Sequence, residues 1–378
     1  MAENLQEQLF EWFQWFHRRP EPSGAEHGTT ARIKELLRET GIRVIDTGLE
    51  TGLVARIDGS AEGPVVALRC DIDALPIQED SGLPYASENA GYMHACGHDF
   101  HLTAMLGAAL LLNKRRGEIK GTVKLVFQCA EENGGGAKQV LETGVLEDVR
   151  EIYGLHVESS RAPGVISISA GPVNAAVGGF RALIKGKGGH ASAPHECIDP
   201  VSAAGQLIVA AQTIVSRSTD PFDKVVLSIT HVEAGNTWNV IPQEALLEGT
   251  IRTLGTEQFK TVAEQLGRIC RGVDEIAGTV TEYNWLCGGP SVDNNAVLAD
   301  FAAKTAESLG LTVMPAVPGM GGEDFALYQE RIPGLFFTVG VGSPQAVHHP
   351  GFRADPAPLH TAAEFLAELG IRSLVRPV

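Results

Sequence analysis

Aromatic residues make up only 6% of the sequence, and its 378 positions hold only six cysteines. The cysteines stand at 70, 96, 129, 197, 270 and 287, and no two of them form a Cys-x-x-Cys pair. A chain of this length needs no disulfide framework. The scatter therefore argues against one and points to a reducing, cytoplasmic setting. Positive charge is also scarce: 30 Lys and Arg face 46 Asp and Glu, a net charge of −16. A phosphate backbone is held by basic surface, so nucleic acid and anionic membrane are disfavoured as partners. The longest apolar runs, such as 106–112, fall far short of the roughly 20 residues of a membrane helix. The start, Met1-Ala2-Glu3-Asn4-Leu5-Gln6-Glu7-Gln8, lacks the basic end and apolar run of a signal peptide. There is no repeat of solenoid period and no low-complexity segment.

What remains is the balance of a globular protein, 44% hydrophobic and 20% charged. Its length exceeds one ordinary core and predicts two domains. Leu5, Leu9, Phe13 and Phe16 recur at helical spacing and predict a helix over 4–18, with a second over 30–39. Strands follow at 43–47 and 52–57. Near-continuous apolar runs at 64–70 and 122–128 read as strands buried on both faces. With helices over 101–114 and 137–143 and a strand over 151–155, the alternation predicts a mainly parallel α/β sheet covered on both faces. Ligands bind such sheets outside the carboxyl ends of the strands. Asp71, Glu131, Glu132 and His156 are expected at those ends.

Beyond residue 175 the order becomes β-α-β-β-α-β, at 179–185, 200–216, 224–233, 244–253, 257–275 and 279–286. That is the ferredoxin-like α+β pattern, and it predicts an inserted domain over 176–287. The flanking 1–175 and 288–378 then form one domain. Its last part is expected to hold a helix over 295–309, a buried strand over 335–340 and a closing helix over 360–374.

The densest chemistry lies in Met93-His94-Ala95-Cys96-Gly97-His98-Asp99-Phe100-His101. Gly97 lets the backbone turn so that Cys96 and His98 can face one point. Thiolate and imidazole suit zinc and other borderline metals. Glu132 and His156 add a carboxylate and an imidazole, and Val347-His348-His349-Pro350 adds more imidazole. Five such donors, with one thiolate, carboxylate or water shared, could hold a pair of ions; spacing alone does not distinguish one ion from two. Glu131-Glu132 invites a division of labour, one carboxylate on metal and its neighbour as general base. His94 and His101 read as supporting residues.

These residues carry a family resemblance. Met93-His94-Ala95-Cys96-Gly97-His98-Asp99, Ala130-Glu131-Glu132, Gly154-Leu155-His156-Val157, Gly189-His190-Ala191-Ser192 and Met320-Gly321-Gly322-Glu323-Asp324-Phe325 together resemble the N-acyl-amino-acid amidohydrolases. That family includes aminoacylase-like enzymes, hippurate hydrolases and auxin-conjugate hydrolases, within a wider group of two-metal exopeptidases. The resemblance implies that Cys96, His98, Glu132, His156 and His348 bind two divalent ions (zinc, manganese, cobalt or nickel) and that Glu131 is the catalytic base. It implies that His190 stabilises the oxyanion and that Asn239 and Arg252 hold the substrate's carboxylate. The flanking segments would be the catalytic metal-binding domain, and the insert a lid that also makes a homodimer.

There are departures. Asp71 stands where the wider group has a metal histidine, Asp73 would orient a neighbouring ligand, and Cys129 replaces a proline. The implied activity is metal-dependent hydrolysis of the amide bond of N-acyl amino acids or similar small conjugates. The alternatives are a dipeptidase or carboxypeptidase with the same centre, or a non-catalytic metal-binding relative.

Overall fold

The structure is a computed structural model and describes residues 2–377. In chain order it runs α1 (Ala2–His17), α2 (His27–Glu39), β1 (Arg43–Ile45), β2 (Leu53–Asp58), β3 (Ala61–Asp71), α3 (His98–Lys114), β4 (Lys120–Gln128), α4 (Gly136–Glu142), β5 (Val149–Glu158), β6 (Ile166–Ser167) and β7 (Gly171–Pro172). Then come β8 (Ala176–Lys185), β9 (Gly189–His190), α5 (Pro200–Arg217), β10 (Val225–Ala234), β11 (Val240–Ile241), β12 (Glu244–Thr253), α6 (Thr256–Ala277) and β13 (Val280–Gly289). The last elements are β14 (Asp293–Asn294), α7 (Ala296–Ser308), β15 (Val313–Met314), α8 (Phe325–Gln329), β16 (Gly334–Gly340) and α9 (Leu359–Val375). They fall into two compact units. One takes the chain up to Gly171, Asp293–Val317 and everything from Asp324 onward; the other takes Pro172–Val292 and Pro318–Glu323. Among the described residues no helix is long and apolar enough to cross a membrane.

The first unit is built on an eight-stranded sheet in the order β1-β2-β4-β3-β5-β16-β6-β15. Pairing is parallel from β4 through β3 and β5 to β16, and again between β6 and β15. It is antiparallel at β1/β2, β2/β4 and β16/β6. The mainly parallel α/β sheet expected from the sequence is present. Its central strands are continuously apolar because helices cover them: α1, α3 and α9 pack together, and α3 and α9 lie against β3, while α4 and α8 pack together against β4 and β16. Leu9, Phe13 and Phe16 of α1, Phe100 and Leu106 of α3 and Phe365 of α9 are each at most 1% exposed. At about 1.5–3 kcal/mol for each such side chain, their burial holds this layer together.

Two boundaries differ from the sequence reading in ways that matter for chemistry. The helix expected from residue 101 begins at His98, capped by Gly97 in the left-handed region with φ 82°. His156 lies inside β5, two residues before its end, rather than beyond it. β5 runs on because its parallel partner β16 continues the ladder through Thr338↔His156 and Gly340↔Glu158.

The second unit holds a four-stranded antiparallel sheet in the order β10-β12-β8-β13. α5 and α6 cover it over a core of Phe180, Ile184, Leu207, Leu247, Ile251 and Leu266. The β-α-β-β-α-β order read from the sequence gives this arrangement. α5 starts where Asp199 accepts a hydrogen bond from Val201 N at 2.9 Å and Pro200 occupies the first helical position. A short ribbon, β9 paired antiparallel with β11, has no signal in the hydrophobic pattern, because each strand is only two residues long.

Candidate metal centre

The first unit brings Cys96, His98, Glu132, His156 and His348 together. Cys96 Sγ is 3.3 Å from His156 Nε2 and 3.3 Å from His348 Nε2. His348 Nε2 is 3.2 Å from Glu132 Oε1, which lies 4.0 Å from His98 Nε2. The donor atoms form overlapping sets, each spanning no more than 4.8 Å: Cys96, His98 and His156; Cys96, Glu132 and His348; and His98, Glu131 and Glu132. His98 is buried and His348 exposed, so the cluster has a closed wall and an open rim. His349 is also exposed, but its Nδ1 accepts a hydrogen bond from Gly351 N rather than meeting the cluster.

Local backbone explains the convergence. Gly97 turns the chain between Cys96 and His98 at φ 82°, and a Cβ there would stand 2.6 Å from Val157 Cγ2. Among the described residues two non-glycines take positive φ, Ala130 at 52° and His348 at 65°. Such backbone is costly and persists where surrounding contacts fix it. Ala130 N is held by buried Glu26 Oε1 at 2.8 Å, and His348 N donates to Ala95 O at 2.8 Å. The strained turn at Ala130 leads directly into Glu131-Glu132.

Ring tautomers follow from which partners can only accept. His98 Nδ1 lies 2.9 Å from Asp73 O, and His156 Nδ1 2.8 Å from Val157 O. A carbonyl oxygen cannot donate, so each Nδ1 carries hydrogen, and Nε2 is the nitrogen left to give its lone pair to a metal once its own proton is displaced. His98 Nε2 is buried without a hydrogen-bond partner. Unpartnered buried polar atoms are rare, and a cation is the partner a lone pair on imidazole suits. The donor chemistry of thiol, imidazole and carboxylate fits a divalent transition metal.

Without a cation, the surroundings favour protons on the cluster. Burial alone would lower the His98 pKa, but the Asp71 carboxylate and then Asp73 outweigh it and hold it well above the ordinary value. Burial pushes the Cys96 thiol well up. For Glu132, burial opposes ionisation, yet the His348 and His98 imidazoles hold its carboxyl below the usual range. A cation at this cluster would displace protons from Cys96 and His98, so its affinity rises with pH.

Supporting residues account for part of the remaining polar stretch, whereas both ring nitrogens of buried His94 lack a hydrogen-bond partner. Asp73 takes His98 Nδ1 on Oδ1 at 3.1 Å, and Ser23 Oγ and Glu132 N on Oδ2 at 2.6 and 3.0 Å. One carboxylate therefore orients two donors. Asp71 has both oxygens engaged, Oδ1 by His101 Nδ1 at 2.5 Å and Oδ2 by Arg69 Nη1 at 2.8 Å. His101 Nε2 accepts from Val157 N at 2.8 Å. Asp71, His98 and His101 are close enough to form a further candidate set, but both nitrogens of His101 are already committed. Burial, outweighing Asp71, lowers the His101 pKa to about 4 and keeps it neutral. Arg69 is fully buried, bridging Asp71, Gln128 Oε1 and Asp324 Oδ1. Cys129 is buried, its thiol pushed up to about 11 by burial, which suits packing rather than reactivity.

Glu26 and Gln128 carried no sequence signal, since single buried polar residues leave no periodicity, and Arg69 carried only its charge. The charged residue inside the apolar run 64–70 was the one available hint.

The second unit holds His190, Asn239 and Arg252. His190 pairs with Val240 in the β9–β11 ribbon, and Ala191 N donates to Asn239 O at 3.1 Å. His190 and Asn239 are thus neighbours. Arg252 lies on β12 and donates from Nη1 to Thr250 Oγ1 at 2.5 Å.

Comparison with known proteins bears on this geometry. Residues 67–371 match the model of Peptidase family M20/M25/M40. An N-acetylcysteine deacetylase of Bacillus subtilis (strain 168) is 46% identical over 356 residues, covering 94% of both chains. Thermostable carboxypeptidase 1 of Saccharolobus solfataricus is 39% identical over 328 residues, covering 86% of this chain and 83% of its own. A Bacillus subtilis protein solved by crystallography and described as a dinuclear metal binding peptidase from the M20 family superposes with a TM-score of 0.91. It is 42% identical and matched over 99% of each chain. With most of its length matched and a cluster of candidate metal donors in its sheet-bearing unit, the chain belongs to peptidase family M20/M25/M40 and is a hydrolase of amide bonds.

Proposed function

We propose that the protein hydrolyses the amide bond of N-acyl amino acids or similar small conjugates, with Glu131 as general base. The carrying observation is the pair of three-donor sets that share Cys96, with Glu131 in an adjoining set with His98 and Glu132. Cys96, His98, Glu132, His156 and His348 would hold two divalent ions. Bound there, the ions would supply Lewis acidity and lower the pKa of water from about 16 towards 7.

The chain's own groups carry the proton. Glu131 takes it from the attacking water and returns it to the departing amine. His190 donates a hydrogen bond to the carbonyl oxygen as that oxygen gains charge. Asn239 and Arg252 read the substrate's carboxylate, the guanidinium by two parallel hydrogen bonds. The second unit serves as a lid and joins two copies. Its exposed Val209 and Val215 on α5, and Val226 and Val232 on the edge strand β10, support a second copy as the partner.

A second reading, a carboxypeptidase or dipeptidase with the same centre, is favoured by the resemblance to the Saccharolobus carboxypeptidase. The higher identity to the deacetylase favours the first. Turnover on N-acetyl-L-cysteine, N-benzoyl, indole-acyl and dipeptide substrates, with zinc, manganese, cobalt or nickel restored after chelation, separates them. Preference for dipeptides over every N-acyl amino acid would overturn the first reading. Glu131→Gln should keep fold and metal content while turnover falls by about 10²–10⁴-fold; turnover near wild type would remove Glu131 from the role of base.

A further inference from the structure

We infer that Ser192 fixes the tautomer of His190 and makes its outer nitrogen, Nε2, the hydrogen-bond donor. The inference rests on the proposed role of His190 at the carbonyl oxygen and deepens it.

Ser192 N lies 3.1 Å from His190 Nδ1, and Ser192 Oγ lies 2.8 Å from the same atom. A backbone N–H can only donate, so Nδ1 is the acceptor. A neutral imidazole with an accepting Nδ1 carries its hydrogen on Nε2. The hydroxyl adds a second donor to the same lone pair. It can rotate to accept instead, but the amide cannot, so with serine in place both contacts favour a bare Nδ1. The amide is held in turn. Ala191 N donates to Asn239 O at 3.1 Å, Ala193 N donates to His190 O at 2.8 Å, and β9 pairs with β11. The turn His190–Ala193 is thus fastened on both sides of Ser192.

His190 itself is exposed, so no surrounding core dictates its ring state. A solvated imidazole populates both tautomers, and an Nδ1–H ring would present a bare Nε2. Aimed at an oxygen gaining negative charge, that lone pair would repel it. Ser192 removes this inactive form before substrate arrives, a form of electrostatic preorganisation. In this role it acts through His190, as a positioning residue.

The test combines ring NMR with kinetics on the metal-loaded protein. Nitrogen-15 spectra of histidine-labelled enzyme, with His190 assigned by its absence in His190→Gln, should show hydrogen on Nε2 and a bare Nδ1. Ser192→Asp places an acceptor beside Nδ1 and should move hydrogen onto it. Its kcat on the best N-acyl substrate should fall at least about tenfold while KM changes less than about twofold, the sign of an interaction made mainly in the transition state. Ser192→Ala keeps the amide and should lose only about two- to fivefold in kcat, and Ser192→Thr should restore it. A wild-type ring with hydrogen on Nδ1, or a Ser192→Asp ring that carries hydrogen on Nδ1 and not on Nε2 yet keeps an unchanged kcat, overturns the inference. If His190→Ala keeps full kcat, the underlying role of His190 fails instead, whatever the NMR shows.

Discussion

Cys96 is common to two of the candidate donor sets, with an imidazole nitrogen 3.3 Å away on either side. A single thiolate placed so would be felt by both ions. Cys96→Ala should therefore lower bound metal from two equivalents to one or fewer, read by elemental analysis after equilibration. Retention of two equivalents would show that the imidazoles and Glu132 suffice. The neighbouring Gly97 is constrained twice over, by its positive φ and by Val157 at 2.6 Å from any Cβ. Gly97→Ala should cost at least about 1–2 kcal/mol from the left-handed backbone alone, with the clash added. Urea unfolding in chelator measures this apart from metal binding. An unchanged midpoint would mean the turn has another conformation open to it.

At the scale of elements, α1 and α3 are joined by a buried ion pair behind the candidate centre. His17, the last residue of α1, lies between Asp99 of α3, at 2.6 Å, and Glu79, at 3.2 Å. Burial pushes the imidazole towards neutrality, but the two carboxylates outweigh it and raise its pKa to about 9. A folded-state pKa above the unfolded 6.5 means the stabilisation is complete below pH 6.5. It is lost as pH rises through about 9. The shift corresponds to on the order of 3 kcal/mol. The stability difference between wild type and His17→Gln should accordingly be largest near pH 6 and shrink by that order by pH 9.5, measured by urea unfolding. A gap that stays constant with pH would show that His17 is held neutral. Elements also show where sequence periodicity stops informing. β3, β4 and the helices around them were legible because period and apolar runs mark them. The extension of β5 past His156 was not, because it depends on β16 as its partner, nearly two hundred residues downstream.

For the whole molecule, the proposed lid predicts a particular result from mixing two inactive variants. Suppose each site uses Glu131 of one subunit and His190 of the other. Glu131→Gln and His190→Ala, refolded together in equal amounts, would then give half heterodimers with one intact site each. About a quarter of wild-type activity should return, by statistical pairing of subunits. No recovery would place both residues in the same subunit.

The sequence by itself determined the class of sheet, the ferredoxin-like insert, the donor types and the family, because apolar period and local residue chemistry are written residue by residue. Only tertiary structure decided which donors meet: that His348 and not His349 reaches Cys96, that Asp71 is held by Arg69 and His101, and that Asp73 orients both His98 and the Glu132 backbone. Those choices rest on hydrogen bonds and strained turns between segments far apart in the chain, such as the bond from His348 N to Ala95 O that spans about two-thirds of it. Such contacts leave no local pattern, since each is fixed by the packing of the strands and helices that carry the partners.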